Sequence, residues 1–189
     1  MIEIVAGTNR PGSKTIQLAQ IIRGLYDLAG APSQILDIAS LPVEIYQPAS
    51  YKTKPAAFAP FQERILACKG IHMVVPEYNG SFPGALKYFI DMLKFPESLE
   101  HRPIAYTGLA DGLWGGFRAV EQLQMVCNYR NAYGLPERVW FPHIGKKMQD
   151  NRITDEFLFG LLRDQVERFI KFANHHEKEA VHSIPNKSA

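Results

Sequence analysis

Apolar residues along this chain alternate between short continuous runs and longer stretches in which they recur every three or four positions. The short runs begin with residues 2–6, and the most apolar of them covers residues 71–75. Such runs are typical of strands whose two faces are both covered by helices. In the longer stretches, spacings such as that of Leu18, Ile22 and Leu25 predict amphipathic helices.

The complete pattern predicts five strands, each followed by a helix. The strands are predicted at residues 2–6, 33–38, 71–75, 102–107 and 135–141. The helices are predicted between Ser13 and Gly30 and at residues 58–68, 83–95, 115–131 and 153–174, with a long surface loop at residues 40–56. Strands that alternate with helices predict an α/β fold with a parallel sheet covered on both faces.

The chain shows no linker and no internal repeat, so residues 1–174 are predicted to form one domain. The remaining residues, 175–189, are polar and are expected to be a flexible tail. One well-buried domain is what a chain of 189 residues provides.

Composition and charge narrow the class of protein. Hydrophobic residues make up 46% of the chain and the net charge is only +2, which excludes a disordered protein. The weak, scattered excess of Lys and Arg argues against a nucleic-acid partner, and no apolar run is long enough for a membrane span or a secretory signal. Cys68 and Cys127 lie in apolar surroundings, so we expect reduced thiols in a cytoplasmic protein rather than a disulfide.

The loop after the first strand has the composition of a phosphate-binding site. It leads into the amino end of a helix, where unpaired backbone N–H groups favour an anion. Its candidate ligands are the side chains of Thr8, Arg10, Ser13, Lys14 and Thr15. The alternative is a plain turn in which Ser13 caps the helix. Neither the nucleotide-triphosphate motif nor the dinucleotide fingerprint is present, so the loop predicts a monophosphate ligand.

The loop after the third strand is the most specific stretch of the sequence. Its candidate ligand-binding residues are Pro76, Glu77, Tyr78, Asn79 and Gly80. Backbone groups in this loop could bind the edge of a heteroaromatic ring, and the Tyr78 side chain could pack against it. Gly80 would permit close approach of the backbone or a positive φ. The alternative is a rigid turn that only starts the next helix.

These two loops, GTNRPGSKT and PEYNGSFPGALKYFID, resemble the motifs of the NADPH-dependent FMN reductase family of flavin, quinone, azo-dye and chromate reductases. The resemblance extends to about residue 174. It implies a flavodoxin-like three-layer sandwich with strand order 2-1-3-4-5, bound FMN, NADPH or NADH as the hydride donor, and a homodimer or homotetramer. By resemblance, Thr8, Arg10, Ser13 and Thr15 would hold the FMN phosphate. The family usually has Asn in place of Thr15.

By the same resemblance, residues 77–80 would lie along the isoalloxazine ring, and the loop after the fourth strand would close its other side. Gly108, Asp111 and Gly112 are the candidates there. This chain keeps the family's double glycine at residues 115–116 but adds Asp111 and Trp114. Asp111 could point at the flavin, where its charge would lower the reduction potential, or outward to solvent as a turn residue.

The remaining chemistry-bearing residues show no catalytic or metal-binding spacing. The six histidines lack a ligand pattern such as H-x-x-x-H, and no nucleophile motif is present. The resemblance implies an FMN-dependent NAD(P)H oxidoreductase with a quinone, free flavin, azo dye or metal oxyanion as the acceptor, and the absence of a catalytic motif agrees with chemistry centred on the flavin. The alternatives are an electron carrier, which normally has an acidic docking surface, and a non-catalytic flavin sensor.

Overall fold

A parallel sheet runs through the centre of the computed structural model, which describes residues 1–182. Its strands are β1 (Ile2–Ala6), β2 (Ser33–Asp37), β3 (Gly70–Pro76), β4 (Pro103–Leu109), β5 (Tyr133–Gly134) and β6 (Val139–Phe141). The strand order is β2-β1-β3-β4-β5, with β6 also paired to β4, and every pair is parallel. This confirms the predicted order and the flavodoxin-like fold.

Helices cover both faces of the sheet. They are α1 (Lys14–Leu28), α2 (Ala59–Ala67), α3 (Gly84–Met92), α4 (Phe117–Tyr129), the short α5 (Ile144–Lys147) and α6 (Glu156–His182). The predicted surface loop contains short 3-10 turns at Ile38–Ser40, Val43–Tyr46, Pro48–Tyr51 and Ala56–Phe58. A two-stranded hairpin of β7 (Met148–Gln149) and β8 (Arg152–Ile153) follows α5. None of the helices described here is both long and apolar enough to cross a membrane.

Alternate side chains of the central strands enter two separate cores. Ile4 and Val74 pack with α1 and α6, whereas Val5 and Met73 pack with α2, α3 and α4. All residues of β1, β3 and β4 are therefore buried. This burial explains the continuous apolar runs from which the strands were predicted.

The predicted fifth strand, residues 135–141, is not continuous. The structure has β5 before it and β6 at its end, both paired to β4. Pro136 lies between them and has no N–H with which to continue the ladder. The carbonyl of Glu137 instead accepts a hydrogen bond from Nε2 of Gln165 on α6, at 3.0 Å. A single strand over 135–141 was therefore wrong.

The last helix also differs from its predicted span of 153–174. It begins at Glu156, after the side chain of Asp155 accepts a hydrogen bond from the N–H of Leu158 at 3.0 Å. At the other end it continues through residues 175–182, which the sequence analysis assigned to the tail. These residues are polar, but they include no Gly or Pro that would end a helix. The rest of the predicted tail, residues 183–189, lies outside the described residues.

A chain of buried polar side chains crosses the sheet beneath α1 and α6. Its hydrogen-bond directions follow from Gln165, whose amide nitrogen donates to two backbone carbonyls, so that its Oε1 must accept from Thr107. Because the Thr107 hydroxyl donates its hydrogen bond to Gln165, its oxygen accepts one from Nε2–H of His72 at 2.8 Å. Nδ1 of His72 then accepts from the hydroxyl of Tyr26 at 2.9 Å. Every member of this chain is satisfied while His72 is neutral.

Burial lowers the pKa of His72 to about 3 from its ordinary value of 6.5. Because the folded state disfavours protonation, this group's contribution to stability is complete above pH 6.5 and is lost as the pH falls towards 3. We expect a loss of about 2 kcal/mol in the free energy of unfolding between pH 6.5 and 5, at about 1.4 kcal/mol per pH unit. Urea unfolding at the two pH values measures this loss.

The variant His72→Gln keeps a donor and an acceptor but cannot be protonated in this range. It should be less stable than the parent at pH 7 and should show about 2 kcal/mol less loss on acidification. The exposed His101 offers a matched control, since His101→Gln should retain the parent's pH dependence. If His72→Gln lost as much stability on acidification as the parent, the loss would not come from protonation of His72.

Candidate functional site

Three loops meet in a cleft of about 490 Å³ at the carboxyl edge of the sheet, where β1, β3 and β4 end. Ligands of open α/β sheets bind in such a crevice, next to the point where the strand order reverses. All but two of the predicted site residues line this cleft. They are Arg10, Ser13, Lys14, Thr15, Pro76, Glu77, Tyr78, Asn79, Gly80, Asp111 and Gly112.

The two exceptions, Thr8 and Gly108, are buried behind the cleft wall. Gly108 lies within β4, where a Cβ atom would come within 2.9 Å of the carbonyl oxygen of Gly115 and 3.1 Å of that of Gly116. A side chain at this position would displace the loop that follows β4. Gly108 therefore shapes the wall, and its direct contact with a cofactor stays a prediction.

Sequence reasoning missed three residues that line the cleft, namely Leu109, Ala110 and Ile144. Leu109 and Ala110 directly follow Gly108 at the end of β4, so the carboxyl-edge rule that selected their neighbours applies to them too. Ile144 belongs to α5, a short helix that the hydrophobic pattern did not reveal.

The end of the cleft at α1 has the features of a phosphate site. Ser13 is the N-cap of α1 and accepts a hydrogen bond from the N–H of Ile16 at 3.3 Å. Nζ of Lys14 donates to the carbonyl of Met148 at 3.1 Å, which ties this loop to the hairpin. Ser13, Lys14 and Thr15 at the start of α1 line the same cleft as Arg10, and the positive end of a helix beside two cations favours an anion there.

A tight turn forms the opposite wall. The N–H of Tyr78 donates to the carbonyl of Ser81 at 2.8 Å, and the N–H of Ser81 donates back at 3.0 Å. The two residues between them, Asn79 and Gly80, have φ values of 52° and 76°. Two successive positive φ values define the two-residue turn that Asn-Gly favours. Gly80 is thus required by its backbone conformation, since the space around it is open out to the Cδ of Arg118 at 4.0 Å.

Helix α4 holds this turn in place. Nε2 of Gln122 donates to the carbonyl of Gly80 at 3.0 Å, and Oγ of Ser81 donates to Oε1 of Gln122 at 2.6 Å. Nη1 of Arg118 donates to Oε1 of Glu77 at 3.2 Å. The other carboxylate oxygen of Glu77 is buried and accepts no hydrogen bond from the residues that the structure describes. Glu77 thus keeps one buried acceptor atom that has no donor among the described residues.

Tyr78 joins the two ends of the cleft. Its hydroxyl lies 2.8 Å from Oγ1 of Thr8, which also accepts a hydrogen bond from the backbone N–H of Arg10 at 3.3 Å. The guanidinium carbon of Arg10 lies 5.8 Å from the centroid of the Tyr78 ring. The side chain of Tyr78 thus points towards the phosphate-type loop, to which it contributes order.

The structure also shows where the Asp111 side chain goes, which the sequence left open. Oδ1 of Asp111 accepts a hydrogen bond from the N–H of Gly145 at 2.9 Å. The backbone carbonyl of Asp111 accepts from Nδ1 of His143, also at 2.9 Å. Both contacts bind the loop after β4 to the start of α5. The carboxylate is therefore used to hold the floor of the cleft together.

Comparison with known proteins identifies the family. Residues 1–146 match the family model described as NADPH-dependent FMN reductase, which is more than half of the chain. The chain belongs to this family. It is accordingly an oxidoreductase that uses FMN and NAD(P)H, as the two loop motifs predicted.

Individual relatives agree with the family. An NADPH azoreductase of Bacillus sp. (strain OY1-2) is 24% identical over 153 residues, or 81% of this chain and 82% of the relative. A 2-hydroxy-1,4-benzoquinone reductase of Burkholderia sp is 32% identical over 135 residues, or 68% and 70%. Among solved structures, the flavoenzyme FerB, an NAD(P)H:(acceptor) oxidoreductase from Paracoccus denitrificans, superposes with a TM-score of 0.76 at 22% identity, covering 93% and 97% of the two chains. At that identity the superposition shows the fold.

The NADPH-dependent FMN reductase cleft of this chain suits FMN at both ends. A monophosphate matches the amino end of α1, where a hydroxyl cap and two cations are available. At the ring end the cleft offers the rigid Asn79–Gly80 turn and the side chain of Tyr78. The 2.8 Å contact between Tyr78 and Thr8 joins the two loops along one side of the cleft.

If Tyr78 orders the phosphate loop through Thr8, then Tyr78→Phe should weaken FMN binding by about fivefold, the effect of losing one hydrogen bond of about 1 kcal/mol. Riboflavin, which has the same ring system but no phosphate, should lose much less affinity. Titration of the flavin-free protein with each ligand, followed by fluorescence, gives both values.

The matched control is Tyr88→Phe, because the hydroxyl of Tyr88 donates to the carbonyl of Tyr46, away from the cleft. It should leave the affinity for both flavins unchanged. An equal loss of FMN and riboflavin affinity in Tyr78→Phe would assign the Tyr78 side chain to the ring end instead.

Proposed function

We propose that the protein reduces small planar acceptors, with a quinone or an azo compound as the substrate class, at an FMN held in the cleft at the carboxyl edge of the sheet. Bound FMN supplies the two-electron chemistry, with NADPH or NADH as the hydride donor. The relatives named above as an azoreductase and a benzoquinone reductase support this choice of acceptor. Free flavins and metal oxyanions are further acceptors that the family resemblance implies.

One observation carries the proposal, namely that a phosphate-type loop and a ring-type turn are joined across a single cleft. Arg10, Ser13, Lys14 and Thr15 would bind the phosphate, and residues 76–80 would lie along the ring. Asp111 and Gly112 would lie on the other side. We infer further that residues 1–174 form one FMN-binding domain.

The chain's own groups would act by binding and orientation. The N–H groups at the start of α1 and the Arg10 side chain would fix the phosphate, while the rigid Asn79–Gly80 turn would fix the ring edge. Backbone groups of an already ordered turn would need little reorganisation to hold the ring, and the flavin would supply the redox chemistry there.

An electron carrier or a flavin sensor is the alternative class. Carriers dock redox partners through acidic surfaces, whereas this chain has a net charge of +2 and a pI near 8.5. We place the enzyme in the cytoplasm. The buried, unpaired thiols of Cys68 and Cys127 support that assignment.

The test is steady-state oxidation of NADPH with menadione as the acceptor. The parent protein should turn over and should hold flavin through a desalting column. Arg10→Ala should have a FMN affinity lower by about ten- to a hundredfold, because a charge-assisted hydrogen bond to the phosphate is lost. Its activity should fall at low FMN and return at saturating FMN.

Arg23→Ala is the matched control, since Arg23 is an exposed arginine on α1, the helix that follows the Arg10 loop, and does not line the cleft. It should behave as the parent does at every FMN concentration. A parent that binds FMN but does not oxidise NADPH would support the carrier or sensor instead. Unchanged FMN affinity in Arg10→Ala would place the phosphate elsewhere.

We also propose that the protein forms at least a dimer, with a second copy seated on the groove between α3 and α4. The groove has a volume of about 620 Å³ and is largely apolar. Phe95, Met125 and Tyr129 are large, exposed side chains on its walls. The guanidinium of Arg130 lies 4.8 Å from the Phe95 ring centroid and donates to the carbonyl of Lys94 at 2.8 Å, which fixes the end of the groove. In a two-fold dimer the same surface of each copy meets the other, so the side chains that project beside the groove of one copy can enter the groove of the second.

Met125→Glu should shift the assembly towards the monomer of 21.3 kDa, because a charge would enter an apolar interface. Light scattering at micromolar concentration measures the mass. The control is Leu28→Glu, which changes another strongly exposed apolar residue at the far end of α1. A parent mass of 21.3 kDa would reject the dimer.

A further inference from the structure

The loop between β4 and α4 places an exposed tryptophan at the rim of the cleft. Gly112 of this loop lines the cleft, and Trp114 follows two residues later with 56% of its surface exposed. Leu113 is exposed beside it. Large aromatic side chains exposed next to a ligand-binding cleft are candidates for binding the ligand itself.

The backbone that carries Trp114 is held rigidly. Gly115 and Gly116 have φ values of 57° and 89°. A Cβ atom on Gly115 would lie 2.6 Å from the N of Pro142, and one on Gly116 would lie 2.5 Å from the N of Leu109. The two glycines are thus packed against the ends of β6 and β4. Trp114 is therefore presented on an anchored support, which lowers the entropy cost of binding to it.

Arg118 connects this tryptophan to the cleft wall. Its guanidinium carbon lies 5.5 Å from the centroid of the Trp114 ring, and its Nη1 donates to Glu77, a residue that lines the cleft. The Arg118 side chain is 49% exposed. The guanidinium thus lies over one face of the indole ring, so the rim offers an aromatic ring and a cation in contact, a combination that binds a planar base carrying a phosphate.

The position of these two residues limits which part of a substrate they can touch. Hydride transfer needs the reacting atoms within about 3–3.5 Å, so a reacting ring must enter the cleft. A rim outside the cleft can contact only a remote, non-reacting part of the molecule. A small quinone has no such part, whereas NADPH has an adenosine that carries phosphates. Binding energy from a remote part of a substrate can be used to orient the part that reacts.

From these observations we propose that Trp114 and Arg118 bind the phosphorylated adenosine end of NADPH, with the base on the indole ring and a phosphate at the guanidinium. This inference rests on the proposed function, because it assigns a subsite for that enzyme's hydride donor. It adds a specificity-determining pair that lies outside the two loop motifs.

The primary experiment is calorimetric titration of the FMN-loaded protein with adenosine 2′,5′-bisphosphate, which contains the base and phosphates of NADPH but no nicotinamide. Trp114→Ala should weaken this binding by about tenfold, the size expected for loss of one stacked base. Arg118→Gln should weaken it by a similar factor, because the charge is lost. The control Leu113→Ala removes the neighbouring exposed apolar side chain from the same loop and should bind as the parent does.

Kinetics provide the second readout. Trp114→Ala should raise KM for NADPH by about tenfold and leave KM for reduced nicotinamide mononucleotide, which lacks adenosine, unchanged. A rise in KM for menadione, with KM for NADPH unaltered, would assign the rim to the acceptor and overturn the inference. Unchanged binding of the bisphosphate in both variants would overturn it too.

Failure of the proposed function gives a different pattern. If the parent protein bound no FMN, the titration with adenosine 2′,5′-bisphosphate on the flavin-free protein would still decide the matter, since it needs no turnover. If the parent oxidised NADPH normally and Trp114→Ala matched it in every measurement, the adenosine subsite would be disproved and the proposed function would stand.

Discussion

The register of the three central strands is the constraint on which the site depends. Ala6 at the end of β1 pairs with Val74 in β3, which pairs with Thr107 in β4. Parallel strands in this register deliver their following loops to one edge at nearly the same height. The polar chain from Tyr26 through His72 to Thr107 lies just below that edge and links β3 and β4 to α1 and α6. A slip of one residue would break this chain and reverse the two cores.

The parts of the fold and the site that were predictable from sequence are those with local causes. Strands β1 and β3 are buried on both faces, which requires continuous apolar runs. The turn at Asn79 and Gly80 requires two positive φ values, which the pair Asn-Gly adopts readily. The break in the fifth strand also has a local cause, because Pro136 has no N–H to donate to a neighbouring strand and its position is visible in the sequence. The continuation of α6 beyond residue 174 has another, since no Gly or Pro ends the helical stretch there.

Other parts depend on contacts between distant residues, and no local pattern predicts these. The hydroxyl of Tyr78 meets Thr8 across seventy positions, so its direction depends on how β1 and β3 pair. Likewise Asp111 finds the N–H of Gly145 only because α5 returns to the cleft floor after β6. The spacing of the sequence identified these residues as members of the site, but the side-chain partners required the folded chain.

The cleft and its rim consist of different chemical groups and would bind different parts of a ligand. The cleft combines the capping hydroxyl of Ser13 and the positive-φ Gly80 with the side chains of Arg10 and Lys14, and at Gly80 a larger residue would strain the backbone. The rim consists of side chains on an anchored loop, where Trp114 can be exchanged without disturbing the packing of Gly115 and Gly116. The exposed indole of Trp114 is available for contact with a planar group of a ligand. A substrate that reaches beyond the cleft supplies such a contact, and its specificity can then be changed at the rim while the cofactor site stays intact.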